Sequence, residues 1–257
     1  MMVPSSLWST IMHDPLFCKS PATPDFEASR QAALCENPAN ALSSPTSGRQ
    51  KRALGQFSKF WKPGRTLRIA FMNEPSADHK KAVETIARQW LRYAYLKFDF
   101  VDGKQGDIRI FTDIDSNHSH VGTDALLVDP HDGTMALGAK PEDPMFARTV
   151  LHEFGHVLGL LHEHQHPQAN IPWDKPKVYA YFAAKGVDQQ TVDLNLFEKT
   201  DKAIAKGNAY DPTSIMHYAV LQEQTIGDWE VGFNQKLSKK DRAFARRIYP
   251  RPSPAEM

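Results

Sequence analysis

Polar and apolar residues alternate from Thr66 to Met72 (Thr-Leu-Arg-Ile-Ala-Phe-Met), the period of a half-buried strand. Pro75-Ser76 then offers a helix cap. Val83, Ile86, Ala87, Trp90, Leu91 and Ala94 recur at helical spacing, which makes Trp90 a core residue. Phe98–Val101 and Asp107–Phe111 read as two further short strands. Asp143-Pro144 supplies a cap and a first-turn proline, and Phe146, Val150, Phe154 and Val157 give the helix that follows a buried side. Asp174 to Gly186 predicts another capped helix with a glycine stop, and Asp188 to Lys199 one more. Ser238-Lys-Lys-Asp241 is a capping box opening a last helix that Pro250 ends. Strands and a long helix ahead of the 146–157 helix predict a mixed sheet with helices packed on it. Residues 1 to about 56 are rich in Pro, Ser, Ala and Asn without a sustained apolar period, which predicts a poorly ordered leader.

Composition narrows the classes. With 257 residues, 41% of them hydrophobic, the chain can build one sizeable core plus a tail. A formal net charge of +1 gives no electrostatic case for nucleic acid or an anionic membrane surface. No apolar run approaches membrane-spanning length. Met1–Phe17 lacks the basic and apolar regions of a signal peptide. Both cysteines, Cys18 and Cys35, fall in the leader, so the folded part is expected to hold no disulfide.

The chemistry concentrates in His152-Glu153-x-x-His156-x-x-Gly159-x-x-His162. Positions i and i+4 share a helix face, so His152 and His156 can point at one ion, with Glu153 beside them. On a continuous helix His162 would lie about 15 Å along the axis from His152, at roughly 1.5 Å per residue. A zinc ligand nitrogen must come within about 2.1 Å of the metal, so the chain has to turn back before His162. Gly159, free to adopt a left-handed conformation, is the residue that lets it.

The run His152–Glu163 resembles the extended zinc signature of metzincin metallopeptidases, and Ser214-Ile215-Met216-His217-Tyr218 resembles their methionine turn. Glu163 directly after the third histidine, and the Ser-x-Met-His-Tyr form of the turn, are most similar to the astacin branch. The resemblance implies an α+β fold of the zincin type. It would hold a mixed, mostly parallel sheet with helices, an active-site helix, and a smaller C-terminal subdomain with the methionine turn and a final helix. Residues 58–250 would form the metallopeptidase domain, 1–57 a disordered leader or prosegment, and 251–257 a tail. Animal astacins carry disulfides in this domain; their absence here points to a microbial or fungal type of relative.

The resemblance also implies a zinc-dependent endopeptidase. One catalytic Zn²⁺ would be held by His152, His156 and His162. Glu153 would act as general base on a zinc-activated water, and Tyr218 would be a zinc ligand that swings to the oxyanion. Met216 would pack beneath the ion, and His217 is not proposed as a ligand. His164 and His166 read as solvated or supporting residues. The expected partner is a protein or peptide substrate, with no nucleic acid and no membrane; the protein is expected to be a monomer, and an extracellular location is what the family implies. Where astacins continue with an Arg- and Asp-rich run, this chain has Pro167–Asp174, so no substrate-pocket assignment carries over.

Three points stay open. Cys18 could plug the metal as a cysteine does in matrixins, but its surroundings do not match that motif and favour a solvated thiol. Lys51-Arg52 is either a processing site or a basic linker; in astacins the N-terminus freed by cleavage is held near the residue matching Glu163. Asp113, Asp115, His118, His120, Asp129, His131 and Asp132 sit where matrixins place further metals, but at other spacings, and Val121–Ala125 could be the edge strand above a cleft. From another class comes the rival reading of a non-cleaving, zinc-stabilised binding or effector module. Retention of Glu153 argues against it, because a structural zinc needs no general base and is normally closed by a fourth protein ligand.

Overall fold

The computed structural model describes residues 18, 21, 25–41, 57–201 and 209–253. In chain order its main elements are α1 (Phe26–Glu36), β1 (Thr66–Phe71), α2 (Ala77–Ala87), β2 (Lys97–Val101), β3 (Ile108–Thr112), β4 (Asn117–Ser119), β5 (Met135–Leu137) and α3 (Phe146–Val157). Then come α4 (Lys175–Ala183), α5 (Gln189–Val192) and α6 (Lys239–Ile248). The five strands stand in the order β2-β1-β3-β5-β4, all parallel except β4, which pairs antiparallel with β5 and forms an edge. The sheet is thus mixed and mostly parallel, as expected of this α+β class.

One apolar cluster joins the sheet to α2 and α3 and reaches the C-terminal part. It includes Leu67, Ile69, Val83, Trp90, Ile110, Phe154, Met216 and Tyr249. Three polar handles lock the core onto α3. Trp90 Nε1 donates to Leu151 O at 3.0 Å, Trp61 Nε1 to Val157 O at 2.7 Å, and Tyr249 Oη to Leu158 O at 2.8 Å. The last two satisfy carbonyls that the end of a helix leaves free.

The ends of the elements follow their local chemistry. Ser76 caps α2, which stops at Ala87; Trp90 then lies in a separate 3₁₀ turn. Asp143 Oδ1 accepts from Met145 N at 2.7 Å just ahead of α3, so its capping bond falls one step before the helix proper. Asp174 caps α4, and Asp188 caps α5, which widens into a π-helical turn over Asp193–Phe197. The capping box Ser238/Asp241 opens α6 as expected.

Two expectations are corrected. Val121–Ala125 is not the edge strand: Gly122–Leu127 is a 3₁₀ turn, and the edge is β4, one step earlier. A polar Asn-His-Ser strand carries no alternating apolar signal, so its pairing with β5 was invisible locally. The leader is not poorly ordered between 25 and 41. Asp25 caps α1, Ser29 Oγ bonds Asp124, Asn37 Nδ2 donates to Trp61 O, and Asn40 Nδ2 donates to Ala33 O and Phe60 O. This docking is polar, with Ser29, Ala33, Asn37 and Asn40 buried, and composition had hidden it. Lys51-Arg52 lies outside the described residues. Ala41 and Phe57 pair in an isolated antiparallel bridge. No helix among the described residues is long and apolar enough to cross a membrane.

Candidate metal centre and catalytic site

His152 and His156 project from α3, and the helix ends directly after them. Gly159 adopts φ +87°; its amide bonds His156 O, and the Leu160 amide reaches back to Gly155 O. This pair of bonds is a Schellman closure, which the left-handed glycine permits. It turns the chain so that His162 returns to its partners. Ring centroids of His152 and His156 lie 4.9 Å apart, those of His156 and His162 4.5 Å, and those of His152 and His162 5.3 Å.

The tautomers follow from the partners. His152 Nδ1 lies 2.9 Å from Ile215 O, and His156 Nδ1 2.8 Å from Leu160 O. A carbonyl only accepts, so both Nδ1 atoms carry the proton and both Nε2 atoms present lone pairs. His156 Nε2 and His162 Nε2 stand 3.0 Å apart, and His152 Nε2 is buried with no partner. Burial drives the pKa of His152 and His162 well below the ordinary value and that of His156 to about 4, so all three rings are neutral. Three converging neutral imidazoles with an orphaned nitrogen fit a zinc ion.

A fourth donor comes from the leader. Cys18 and the three histidines are the one His/Cys/Asp/Glu group among the described residues able to hold a metal, with ligand atoms within 4.8 Å of one another. Cys18 is buried, its thiol hydrogen-bonds the Glu153 carboxylate, and the Ser119 amide of β4 faces its sulfur. The reading of Cys18 as a solvated thiol is therefore corrected. The local sequence could not show that Cys18 lies beside the histidines, nor that α1 docks on the domain through Asn37 and Asn40. The acidic and histidine residues of 113–134 do not converge. Their loop is tied by the Arg109 guanidinium, which donates to the carbonyls of Gly106, Val128, Asp129 and Asp132.

Glu153 is buried, burial raises its pKa to about 8, and its Oε2 has no partner. Tyr218 stacks over His164 at 4.2 Å between centroids, and its hydroxyl donates to the backbone carbonyl of Cys18. His164 is not solvated: it is fully buried, its Nε2 bonds Asn195 O at 2.8 Å, and burial lowers its pKa to about 3. His166 is buried as well, its Nδ1 accepting from Gln168 N. His217 stays outside the donor set, held by Tyr210 Oη at 2.8 Å and Tyr218 O at 2.6 Å.

Met216 lies directly under α3. A Cβ built on Gly155 would come within 2.2 Å of its sulfur, so the glycine inside the zinc motif makes room for the methionine. Asp241 of the α6 capping box pins the same turn from below, accepting from Ser214 Oγ at 2.6 Å and Ile215 N at 2.8 Å. Glu163 accepts from Asp211 N at 2.7 Å and borders a cavity of about 80 Å³; burial raises its pKa to about 8. A larger cleft, of about 400 Å³, opens past His156 and His162 between Lys59, Val121, Leu161 and Lys199, and Pro21 of the leader lines it.

The structure brings His152, Glu153, His156, His162 and Tyr218 into one buried cluster, beside which lies Arg148, a residue the sequence did not single out. That arginine sits one helical turn before His152 and is 5% exposed. The i, i+4 spacing could have flagged it.

The comparisons agree with this geometry. The family model described as Astacin (Peptidase family M12A) matches residues 53–249. A solved structure of myroilysin is similar at 37% identity and a TM-score of 0.72, covering 76% of this chain and 97% of that one. A crystal structure of myroilysin matches at 33% identity and a TM-score of 0.59, covering 84% and 96%. High choriolytic enzyme 1, a hatching enzyme zinc-protease from Oryzias latipes (Medaka fish), matches at 18% identity and a TM-score of 0.54, covering 74% and 94%, which speaks for the fold. No curated protein sequence matches the chain.

Proposed function

The chain belongs to the astacin family of zinc metallopeptidases, and from that premise we propose that it is an endopeptidase with one catalytic zinc, held latent by its own leader. The observation that carries this reading is the convergence of three neutral histidines, Glu153 and Cys18 in one buried cluster.

His152, His156 and His162 would hold a zinc ion, which would supply Lewis acidity and lower the pKa of the attacking water to about 7. The residues of the chain do the rest. Glu153, whose Oε2 is free of any partner, takes the proton of the attacking water and hands it to the leaving amine. The Tyr218 hydroxyl donates to the carbonyl oxygen as charge builds on it. His164, stacked on the Tyr218 ring, limits where that phenol can swing.

With Cys18 in place, this chemistry is blocked twice. Its sulfur lies among the three histidines, where it would be a fourth donor to the ion, and its carbonyl accepts from the Tyr218 hydroxyl. The leader passes from Cys18, facing Ser119, to Pro21, in the cleft beside His120 and Val121, so it runs in the same sense as β4. A substrate pairing antiparallel with that edge would run the opposite way, and the leader therefore presents its backbone in reverse. Cleavage within 42–56 would cut the leader from the domain.

The rival reading, a non-cleaving zinc-stabilised module, gains the fourth ligand that it lacked on sequence alone. Against it stands the buried, unpartnered carboxylate oxygen of Glu153, which a structural zinc does not need. The test is peptide cleavage and zinc content of the full chain, before and after limited proteolysis, beside Glu153→Gln. Chelator-sensitive cleavage by the processed wild type alone, at equal zinc content, supports the peptidase. Stoichiometric zinc with no cleavage after processing would leave the binding module as the reading.

A further inference from the structure

Tyr218 is clamped at its backbone, so a movement of its phenol is a movement of the ring. His217 Nδ1 donates to the Tyr218 carbonyl at 2.6 Å, and Tyr210 Oη donates to His217 Nε2 at 2.8 Å. The ring itself lies against His164, 4.2 Å between centroids at an interplanar angle of 24°. His164 is fully buried; its Nε2 donates to Asn195 O at 2.8 Å, and its Nδ1 has no hydrogen-bond partner. The Asn195 carbonyl therefore orients the imidazole on which the phenol rests. Asn195 belongs to the π-helical turn Asp193–Phe197, where Glu198 N reaches back to Asp193 O at 2.8 Å. The last carbonyls of a helix have no partner within it. Here His164 takes Asn195 O, and Gln165 Nε2 takes Leu194 O at 2.8 Å. Leu196 of the same turn shares a buried apolar cluster with Tyr218, Val178 and Phe182. Turns of this kind are rare and recur at functional sites.

The outer face of the turn is a wall of the cleft. Leu194, 53% exposed, lines the space of about 400 Å³ together with Gln165 and Lys199, and Leu161, 37% exposed, lines it too. Lys199 Nζ in turn donates to the carbonyls of His164 and Ala169, at 3.0 and 2.8 Å. The cleft lies beside His120 and Val121, beyond the C-terminal end of β4, so a substrate antiparallel to β4 places there the residues before its scissile bond. An apolar side chain covering the two exposed leucines removes apolar surface from water on both partners. We infer that an apolar substrate side chain upstream of the scissile bond packs on Leu194 and Leu161, and that the π turn and His164 carry this contact to the Tyr218 phenol. Leu194 is then a specificity-determining residue, and His164 a positioning residue that acts through Tyr218. Binding energy gained away from the reacting bond is used to orient the group that meets the developing oxyanion, so its loss appears in kcat.

This inference rests on the peptidase reading, and its test separates the two. The full chain, processed by limited trypsin within 42–56, is given three quenched peptides that differ only in the second and third residues before the scissile bond: both Ala, or Leu at one or the other. Mass spectrometry of the products fixes the bond that is cut. Wild type is expected to cleave one of the Leu peptides with kcat about tenfold above the Ala peptide and KM within about twofold. Leu194→Ser, at an exposed position, brings the kcat ratio to about one and leaves the Ala peptide unchanged. His164→Phe keeps a ring under the phenol but loses the bond to Asn195 O, and it also brings the ratio to about one. In a Tyr218→Phe background, His164→Phe should lower kcat no further. A Leu preference that resides in KM, or that survives His164→Phe, overturns the inference, as does an additive loss in the Tyr218→Phe background. A readout without turnover is ¹⁹F NMR of the processed Glu153→Gln chain labelled with 3-fluorotyrosine, the Tyr218 signal being assigned by its absence in Tyr218→Phe. The Leu peptide should shift that signal at saturation more than the Ala peptide does, and His164→Phe should erase the difference. Equal shifts overturn the inference. If the wild type cleaves none of the peptides, the peptidase reading falls, and the NMR comparison still decides the coupling.

Discussion

The hydroxyl of Tyr218 donates to the backbone carbonyl of Cys18, across 200 positions of sequence. The phenol proposed to meet a substrate carbonyl is thus engaged by a carbonyl of the chain itself, while the cysteine sulfur lies among the three histidines proposed to hold zinc. One residue of the leader thereby occupies both polar positions that a substrate would need.

Removing the phenol separates its two roles. Tyr218→Phe is expected to lower kcat of the processed enzyme about 10²-fold, the cost of losing one oxyanion donor, with zinc content unchanged. An unaltered kcat would return Tyr218 to a packing role.

Removing the sulfur should open the site. Cys18→Ala in the uncut chain is expected to show peptide cleavage before any proteolysis, and to lose zinc to a chelator faster than wild type. If the variant stays as silent as the uncut wild type and holds its zinc as long, the sulfur is not what closes the site.

Metal removal should be a stability event as well as a loss of activity. The three buried imidazoles lose their common partner, and chelation should lower the melting temperature. An ion present at about 1,000 times its dissociation constant contributes about 4 kcal/mol. His162→Ala should bind less zinc and show a smaller shift on chelation. Undiminished metal content in that variant would remove His162 from the donor set.

Gly155 tests the floor of the site. Alanine normally gains up to about 1 kcal/mol over glycine inside a helix. Here its Cβ would meet Met216 Sδ at 2.2 Å, with Trp90 at 3.4 Å on another side. Overpacking of this kind costs about 1–3 kcal/mol. Gly155→Ala should therefore destabilise in thermal melts, and adding Met216→Ala should recover part of the loss. Simple additivity of the two changes would show that they do not touch.

Asp241 ties the last helix to the methionine turn. Its carboxylate accepts from Ser238 N, Ser214 Oγ and Ile215 N, and Ile215 O in turn holds His152 Nδ1. Asp241→Ala should cost about 3 kcal/mol or more through its charge-assisted bonds and weaken zinc retention. Denaturant melts and zinc quantification read the two effects separately, and a stability loss with zinc affinity intact would break the proposed link.

Much of the site was legible because its signal is local. His152 and His156 share a helix face by spacing alone, and Gly159 has to be left-handed for His162 to return; the Schellman closure supplies that turn. The capping box Ser238/Asp241 was equally plain, as were the strands from Thr66 and Ile108, where apolar periods are strong. What failed was whatever lacks an apolar period. The Asn-His-Ser edge of β4 is specified by its partner β5, and α1 is held by buried Ser29, Asn37 and Asn40, polar residues whose hydrogen bonds reach chain far away in sequence.

The division between sequence and tertiary structure follows range. The chain by itself determined the histidines, their helical register, the bend that gathers them and the carboxylate of Glu153 beside them, since each depends on backbone geometry within a dozen residues. Only the folded molecule decided the rest. It brought Cys18 to the histidines, gave Tyr218 a carbonyl to hold and set Met216 into the space left by Gly155. Those relationships join residues far apart in the chain, Gly155 with Met216 at the near end and Tyr218 with Cys18, 200 positions away, at the far end. No local propensity encodes such pairings; they exist because the packed core holds their segments together.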